Sequence, residues 1–276
     1  GVHILNISID KPEIDGLNSK DTIGSGPGKR EEIPYMSLVD SDVRDHSRLL
    51  LNIEDPSYMA LDADKLFVLS SSNEGGVKAY NFDRKREGLR LIGGVDMLGK
   101  APCHLYFDRD KSLIYASNYH LGRLDILFLN EDGLSLAGSI CLEGRGPISP
   151  NQDGPRCHMA IKDPSDRFTL VVNLGGDRVE TYYIDTEGYD LVSSYHTRPG
   201  MGPRHMVFGP GGRHVYLMGE LDSTVEVLAY DNAKGILKSI SRVSSLPEGS
   251  ESFTGNSGAA IKVTKLKNEL GKYNLY

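Results

Sequence analysis

"GPRHMVFGPGGRHVYLMGELDSTVEVLAYD", residues 202–231, reads as strand, tight turn, strand, short polar loop, strand. The "GPGG" in its middle supplies turn geometry, and the runs on either side carry the Val, Tyr, Leu and Phe of pleated structure. Three other stretches follow the same plan: "DPSYMALDADKLFVLSSSNEGGVKAYNFD" from Asp55, "APCHLYFDRDKSLIYASNYHLGRLDILFLN" from Ala101 and "GPRCHMAIKDPSDRFTLVVNLGGDRVETYYID" from Gly154. Anchored on the first apolar residue after the polar loop, Val77, Leu124, Val179 and Val225, the units stand 47, 55 and 46 residues apart. A further strand-like run closes each unit, as in "GLRLIGGVDM" and "GILKSISRVSSL". Repetition at this period is a sign of propeller blades. Four short antiparallel strands per unit, repeated radially, predict an all-β fold, a β-propeller.

Strand pairs are expected near residues 57–72, 103–118, 157–173 and 205–219. Runs at helical spacing are missing except in the last dozen residues, "KLKNELGKYNLY". Residues 1–276 read as a single propeller domain with both ends truncated. Residues 1–10 resemble the third strand of a blade and 253–263 a first strand, which brings the count to about five to six blades. Between them, residues 12–53 form a polar loop or insertion, longer than ordinary connections. Its "GSGPGK" is not a phosphate-binding loop, because Arg30 stands where that motif requires Ser or Thr.

The 276 residues carry a formal charge of −7 and 39% apolar residues. That argues against a general nucleic-acid or acidic-membrane binder, and no run approaches the 18 or so apolar residues of a membrane helix. Cys103, Cys141 and Cys157 lack metal or redox spacing, and "GVHILNISID" lacks the zones of a signal peptide, so a cytoplasmic setting is expected. The sequon at Asn6 therefore carries little weight.

In an antiparallel hairpin, residues equidistant from the turn lie opposite one another. Arg204 and Glu220 are equidistant from Gly212 and should meet at the open mouth of their hairpin. The same construction sets His158 near Asn173 and Leu174, and His104 near Asn118 and Tyr119. The first strand of each blade lines the central channel, so His104, His158, Arg204 and Glu220 should converge there from neighbouring blades. The plainer readings stand beside this one. Arg204 with Glu220 could be a structural ion pair, His120, His205 and His214 read as strand-face or loop residues, and Cys103 and Cys157 as inert buried thiols.

"PCHL", "GPRHMVF", "ELDSTV" and "LPEG…FTGN", in this order at blade spacing, resemble the seven-bladed propeller lactonases. The bacterial propeller-type 6-phosphogluconolactonases typify that family, and the fungal 3-carboxy-cis,cis-muconate cyclase is a distant relative. The resemblance runs from about residue 54 to residue 261, with a trace at residues 1–10. It implies a site of His158, Arg204 and Glu220, with the family's later arginine falling beyond Tyr276. Arg156 stands where the family pattern more often has a histidine, and joins His104, Asn118, Tyr119 and Asn173 as a candidate substrate contact.

The implied activity is a lactone hydrolase opening a small anionic sugar lactone, without cofactor or metal. A histidine suits general-base work on water, and an arginine suits the developing oxyanion or a phosphate. No GxSxG nucleophile motif is present, nor HxH or HExxH metal spacing. The alternatives are a muconate-type lactonizing cycloisomerase and a non-catalytic propeller binding a ligand or protein, since one fold hosts many functions. The oligomeric state is not legible.

Overall fold

The computed structural model describes residues 2–5, 47–51, 55–71, 75–83, 88–96, 99–247, 255–265 and 273–275. The chain divides into two compact units, Gly1–Asn52 and Ile53–Tyr276. In the first unit, β1 (Val2–Leu5) pairs antiparallel with β2 (Ser47–Leu51). The expectation of a loop over 12–53 is thus corrected at 47–51, which is strand, and the 12–46 portion lies outside the described residues.

The second unit contains four blades, each a four-stranded antiparallel meander in chain order. The first blade comprises β3 (Pro56–Asp62), β4 (Lys65–Ser70), β5 (Gly76–Asp83) and β6 (Gly88–Asp96). The second comprises β7 (His104–Asp108), β8 (Leu113–Asn118), β9 (Arg123–Asn130) and β10 (Gly133–Cys141). The third comprises β11 (Cys157–Lys162), β12 (Thr169–Asn173), β13 (Arg178–Ile184) and β14 (Tyr189–His196). The fourth comprises β15 (Pro203–Phe208), β16 (His214–Gly219), β17 (Thr224–Asp231) and β18 (Ile236–Ser244). The four expected strand pairs are all present.

The chain-end expectations fare differently. Val263–Lys265 (β19) pairs with Tyr273–Leu275 (β20), whereas 256–262 carry no strand. Tyr273–Leu275, inside the stretch with helical spacing, is strand. Against about five to six blades counted from the sequence, the described residues hold four blades and two strand pairs.

The burial pattern follows from blade stacking. Middle strands are covered on both faces, so "LIYASN" and "TLVVN" are buried at every position instead of alternating. The fourth strands β14 and β18 lie at the rim and are largely exposed. Each core forms between two blades. Phe67, Leu69, Val77 and Ala79 pack on Leu105, Ile114, Leu127 and Leu129. Tyr115, Leu124 and Ile126 pack on Ala160, Val171 and Tyr182. Met159, Leu170 and Val172 pack on Met206, Val215 and Leu217. The β3–β4, β7–β8, β11–β12 and β15–β16 turns each place residues at positive φ: Ala63, Ser112, Asp166, and Gly211 with Gly212. This is the left-handed geometry that their Asp- and Gly-rich sequences favour.

Candidate active site

The first strand of three blades begins with a bulge. Register shifts fall between Pro56 and Tyr58, between Cys157 and Met159, and between Pro203 and His205, so Ser57, His158 and Arg204 are the extra residues at the strand entrance. A bulged residue leaves the ladder and re-aims its side chain. In the second blade His104 pairs with Ser117, one step inside Asn118, and the residue before it, Cys103, holds the same station. The residues just past the second strands, Ser71, Tyr119 and Glu220, face the same space. Together with Lys100, Pro102 and His120 these residues line a cleft of about 480 Å³.

Arg204 is the hub of that cleft. Its Nε–H donates to His158 Nε2 at 3.0 Å, and Glu220 Oε2 lies 3.0 Å from the same Nε. Its Nη1 donates to the carbonyl of Gly258 at 3.3 Å, and its Nη2 makes no hydrogen bond among the described residues. Glu220 Oε2 is 3.8 Å from His158 Nε2. The charge pair here is Arg204 with Glu220, since the contact to His158 becomes ionic only if the imidazole is protonated.

Protonation is disfavoured. Burial, then the Arg204 charge and then His205, push His158 down to about 3. Burial raises the Glu220 carboxyl above the usual range, with Arg204 opposing it. The site therefore combines a neutral imidazole, a fixed cation hydrogen-bonded to it, and a carboxylate of raised basicity ion-paired with that cation.

Several sequence-derived candidates take other places. His104 is buried one layer beneath the cleft, its ring 4.9 Å from Tyr58 and 5.7 Å from His205, and its Nδ1 has no hydrogen-bond partner among the described residues. Burial, with His205, His158 and Lys262, takes it to about 3. Sequence counting sets His104 and His158 at matching positions, but the register makes Cys103 the counterpart of His158 and His104 the counterpart of His205 in their respective blades. His205, read from sequence as a strand-face residue, lies with its ring 5.3 Å from that of His158 and is pushed to about 4 by burial, Arg204 and Lys262. Ser57 and Lys100 in the cleft wall were also missed; the bulge that re-aims Ser57 has no signature in the residues themselves.

Asn118 and Asn173 are fully buried, and their amides serve the backbone. Asn118 donates to Lys100 O at 2.9 Å and accepts from Leu121 N. Asn173 donates to Glu143 O at 2.9 Å and accepts from Arg156 N and Gly176 N. Both shape the loops around the cleft, their side-chain hydrogen bonds among the described residues going to backbone groups. Tyr119 stands over the site with its ring 5.6 Å from His158. Arg156 lies over the Tyr119 ring at 5.4 Å and donates to His120 O.

The family profile described as "Lactonase, 7-bladed beta-propeller" matches residues 23–271. A Lactococcus lactis subsp. cremoris protein is 34% identical over 236 residues, covering 83% of this chain and 67% of that protein. The 6-phosphogluconolactonase of Bacillus subtilis is 31% identical over 224 residues, 79% of this chain and 63% of its own length. Among solved structures, a Lactobacillus plantarum protein superposes with a TM-score of 0.72 at 31% identity, covering 78% of this chain and 63% of that one. The chain thus spans about two thirds of the length of these relatives. It belongs to the lactonase family of seven-bladed β-propellers.

Proposed function

We propose that this protein is a lactone hydrolase acting on a small anionic sugar lactone of the 6-phosphogluconolactone class. The observation that carries this reading is the convergence of His158, Arg204 and Glu220 within 3.0 to 3.8 Å in an open cleft. The Bacillus subtilis relative's name supports the substrate class.

In this reading the substrate carbonyl lies against Arg204, whose fork accepts the charge developing on oxygen. Engagement of the guanidinium by substrate draws its Nε–H off His158 and relieves the cationic pressure on the imidazole. The freed Nε2 lone pair then takes a proton from water as the water oxygen attacks the carbonyl carbon. The resulting imidazolium faces the Glu220 carboxylate. When the tetrahedral intermediate collapses, the ring C–O bond breaks and His158 returns its proton to the departing alkoxide, leaving a hydroxy acid. Lys100, Arg156 and His120 at the rim suit a substrate phosphate.

The test is pH-stat titration of acid released from 6-phosphogluconolactone above its spontaneous rate. His158→Ala should lower turnover by about two to four orders of magnitude with the fold intact, the range expected for loss of a general base. Hydrolysis no faster than in buffer, or unchanged turnover in the variant, overturns the reading.

A further inference from the structure

Cys103 holds the station in the second blade that His158 holds in the third and Arg204 in the fourth, and it lies in the wall of the same cleft. Its Sγ is 3.8 Å from His158 Nδ1. It also reaches three backbone carbonyls: His158 O at 3.4 Å, Ser117 O at 3.5 Å and Cys157 O at 3.8 Å.

Proton placement in this chain of contacts is determined from its outer end. A guanidinium is always protonated and can only donate. Arg204 Nε–H points at His158 Nε2, so Nε2 holds the lone pair, and a neutral His158 carries its hydrogen on Nδ1. That hydrogen faces the sulfur and the histidine's own carbonyl oxygen. The thiol remains protonated, because burial drives Cys103 up to about 12; its S–H turns to a backbone carbonyl and leaves a sulfur lone pair toward Nδ1. Every donor in the series therefore points inward: guanidinium to imidazole, imidazole to thiol, thiol to backbone.

We propose that Cys103 is a positioning residue that, from the side of the ring opposite Arg204, holds His158 in the Nδ1–H tautomer, with its Nε2 lone pair presented to the cleft. The hydrogen bond at one ring nitrogen decides which form the other takes. Through His158 this deepens the lactonase reading above and rests on it for its catalytic consequence. Its structural content stands alone.

The experiment is ¹⁵N NMR of the histidine-labelled protein at neutral pH, with the His158 signals identified by their loss in His158→Gln, alongside lactone hydrolysis. His158 should show the Nδ1–H pattern in the unsubstituted protein. With the guanidinium removed by Arg204→Ala, Cys103→Ala should move the His158 population toward Nε2–H; in the otherwise unsubstituted protein Cys103→Ala should lower kcat roughly tenfold or more, with KM within about twofold, as expected when a catalytic imidazole is misoriented. Cys103→Ser, which retains an acceptor and a donor, should restore most of both. An Nε2–H signature in the unsubstituted protein overturns the proposal without any variant. So does a His158 signature that Cys103→Ala leaves unmoved in the Arg204→Ala background. A protein that hydrolyses no sugar lactone overturns the functional reading alone, and the tautomer measurement still decides the role of Cys103.

Discussion

Arg204 and Glu220 meet across the mouth of their hairpin at 3.0 Å, with 27% and 17% of their side-chain surfaces still open to solvent. A pair that only closed the hairpin would not need the arginine to turn its Nε–H to an imidazole of the neighbouring blade. Arg204→Lys keeps the charge and loses the planar fork. We expect it to lower turnover at least tenfold, equivalent to about 1.4 kcal/mol of transition-state binding, and Arg204→Ala to lower it further. Steady-state kinetics with thermal melts decide the matter: a melting shift with unchanged constants would reduce Arg204 to a structural role.

Acid should destabilise the fold through its buried imidazoles. His104 and His158 are held near 3 and His205 near 4, so each takes up its proton in the unfolded chain well before it does so in the folded one. Their contribution to stability is present in full above the unfolded value near 6.5 and is lost as pH falls from there toward 3 to 4. In the middle of that window each fully buried histidine should steepen the dependence by about 1.4 kcal/mol per pH unit. Calorimetric melting points measured from pH 7.5 to 4.5 should fall accordingly, and His104→Gln should flatten the slope; an equal slope in that variant would refute the assignment.

Lys162 and Asp108 form an ion pair between neighbouring blades, 3.1 Å apart and with 2% and 4% of their side-chain surfaces exposed. Tyr115 OH also donates to Asp108, and Lys162 donates to Asp166 O. Removing one partner strands a buried charge, so Lys162→Met should cost about 3 to 5 kcal/mol in urea unfolding. The double variant Lys162→Met with Asp108→Leu should recover much of this. Equal losses in both would show that packing, not the orphaned charge, accounts for the effect.

Gly122 adopts φ of +59°, and a Cβ there would come within 2.6 Å of Pro155 O on the approach to the third blade. Gly122→Ala should therefore both strain the turn and push two blades apart, lowering the melting point by several degrees, about 1 to 3 kcal/mol. A melt that matches the unsubstituted protein would mean that the joint can yield.

The blades are legible in the sequence because turn chemistry and apolar runs repeat at blade spacing, and covered strands such as "TLVVN" read plainly as buried. Counting outward from Gly212 sets Arg204 opposite Glu220; the register instead sets Pro203 against Gly219, and Arg204 reaches Glu220 as the bulged residue. What counting misses is the single-residue slip at the strand entrances. The bulges at His158 and Arg204, which the second blade lacks, put Cys103 at the station of those two residues and set His104 and His205 one step inside. Asn118 and Asn173 stand at the depth expected of ligand contacts, and their burial and bonds to backbone groups are not legible in the sequence. At the chain ends Val2–Leu5 is strand as read, whereas 256–262 carry none, since a short run lacks the repeated neighbours that make a blade readable.

Asn118 and Asn173 each reach back to the linker that enters their own blade, through Lys100 O and Glu143 O. Together with cores that form only between adjacent blades, these latches couple each blade to its immediate neighbours, as in stacked-repeat proteins where energy passes along a line. His158 belongs to the third blade, Arg204 and Glu220 to the fourth, so the group spans a single joint. A local opening of that joint would part the imidazole from the guanidinium while the other interfaces stay closed. Contact between these three side chains is therefore governed by the free energy of one interface, a smaller quantity than the stability of the whole.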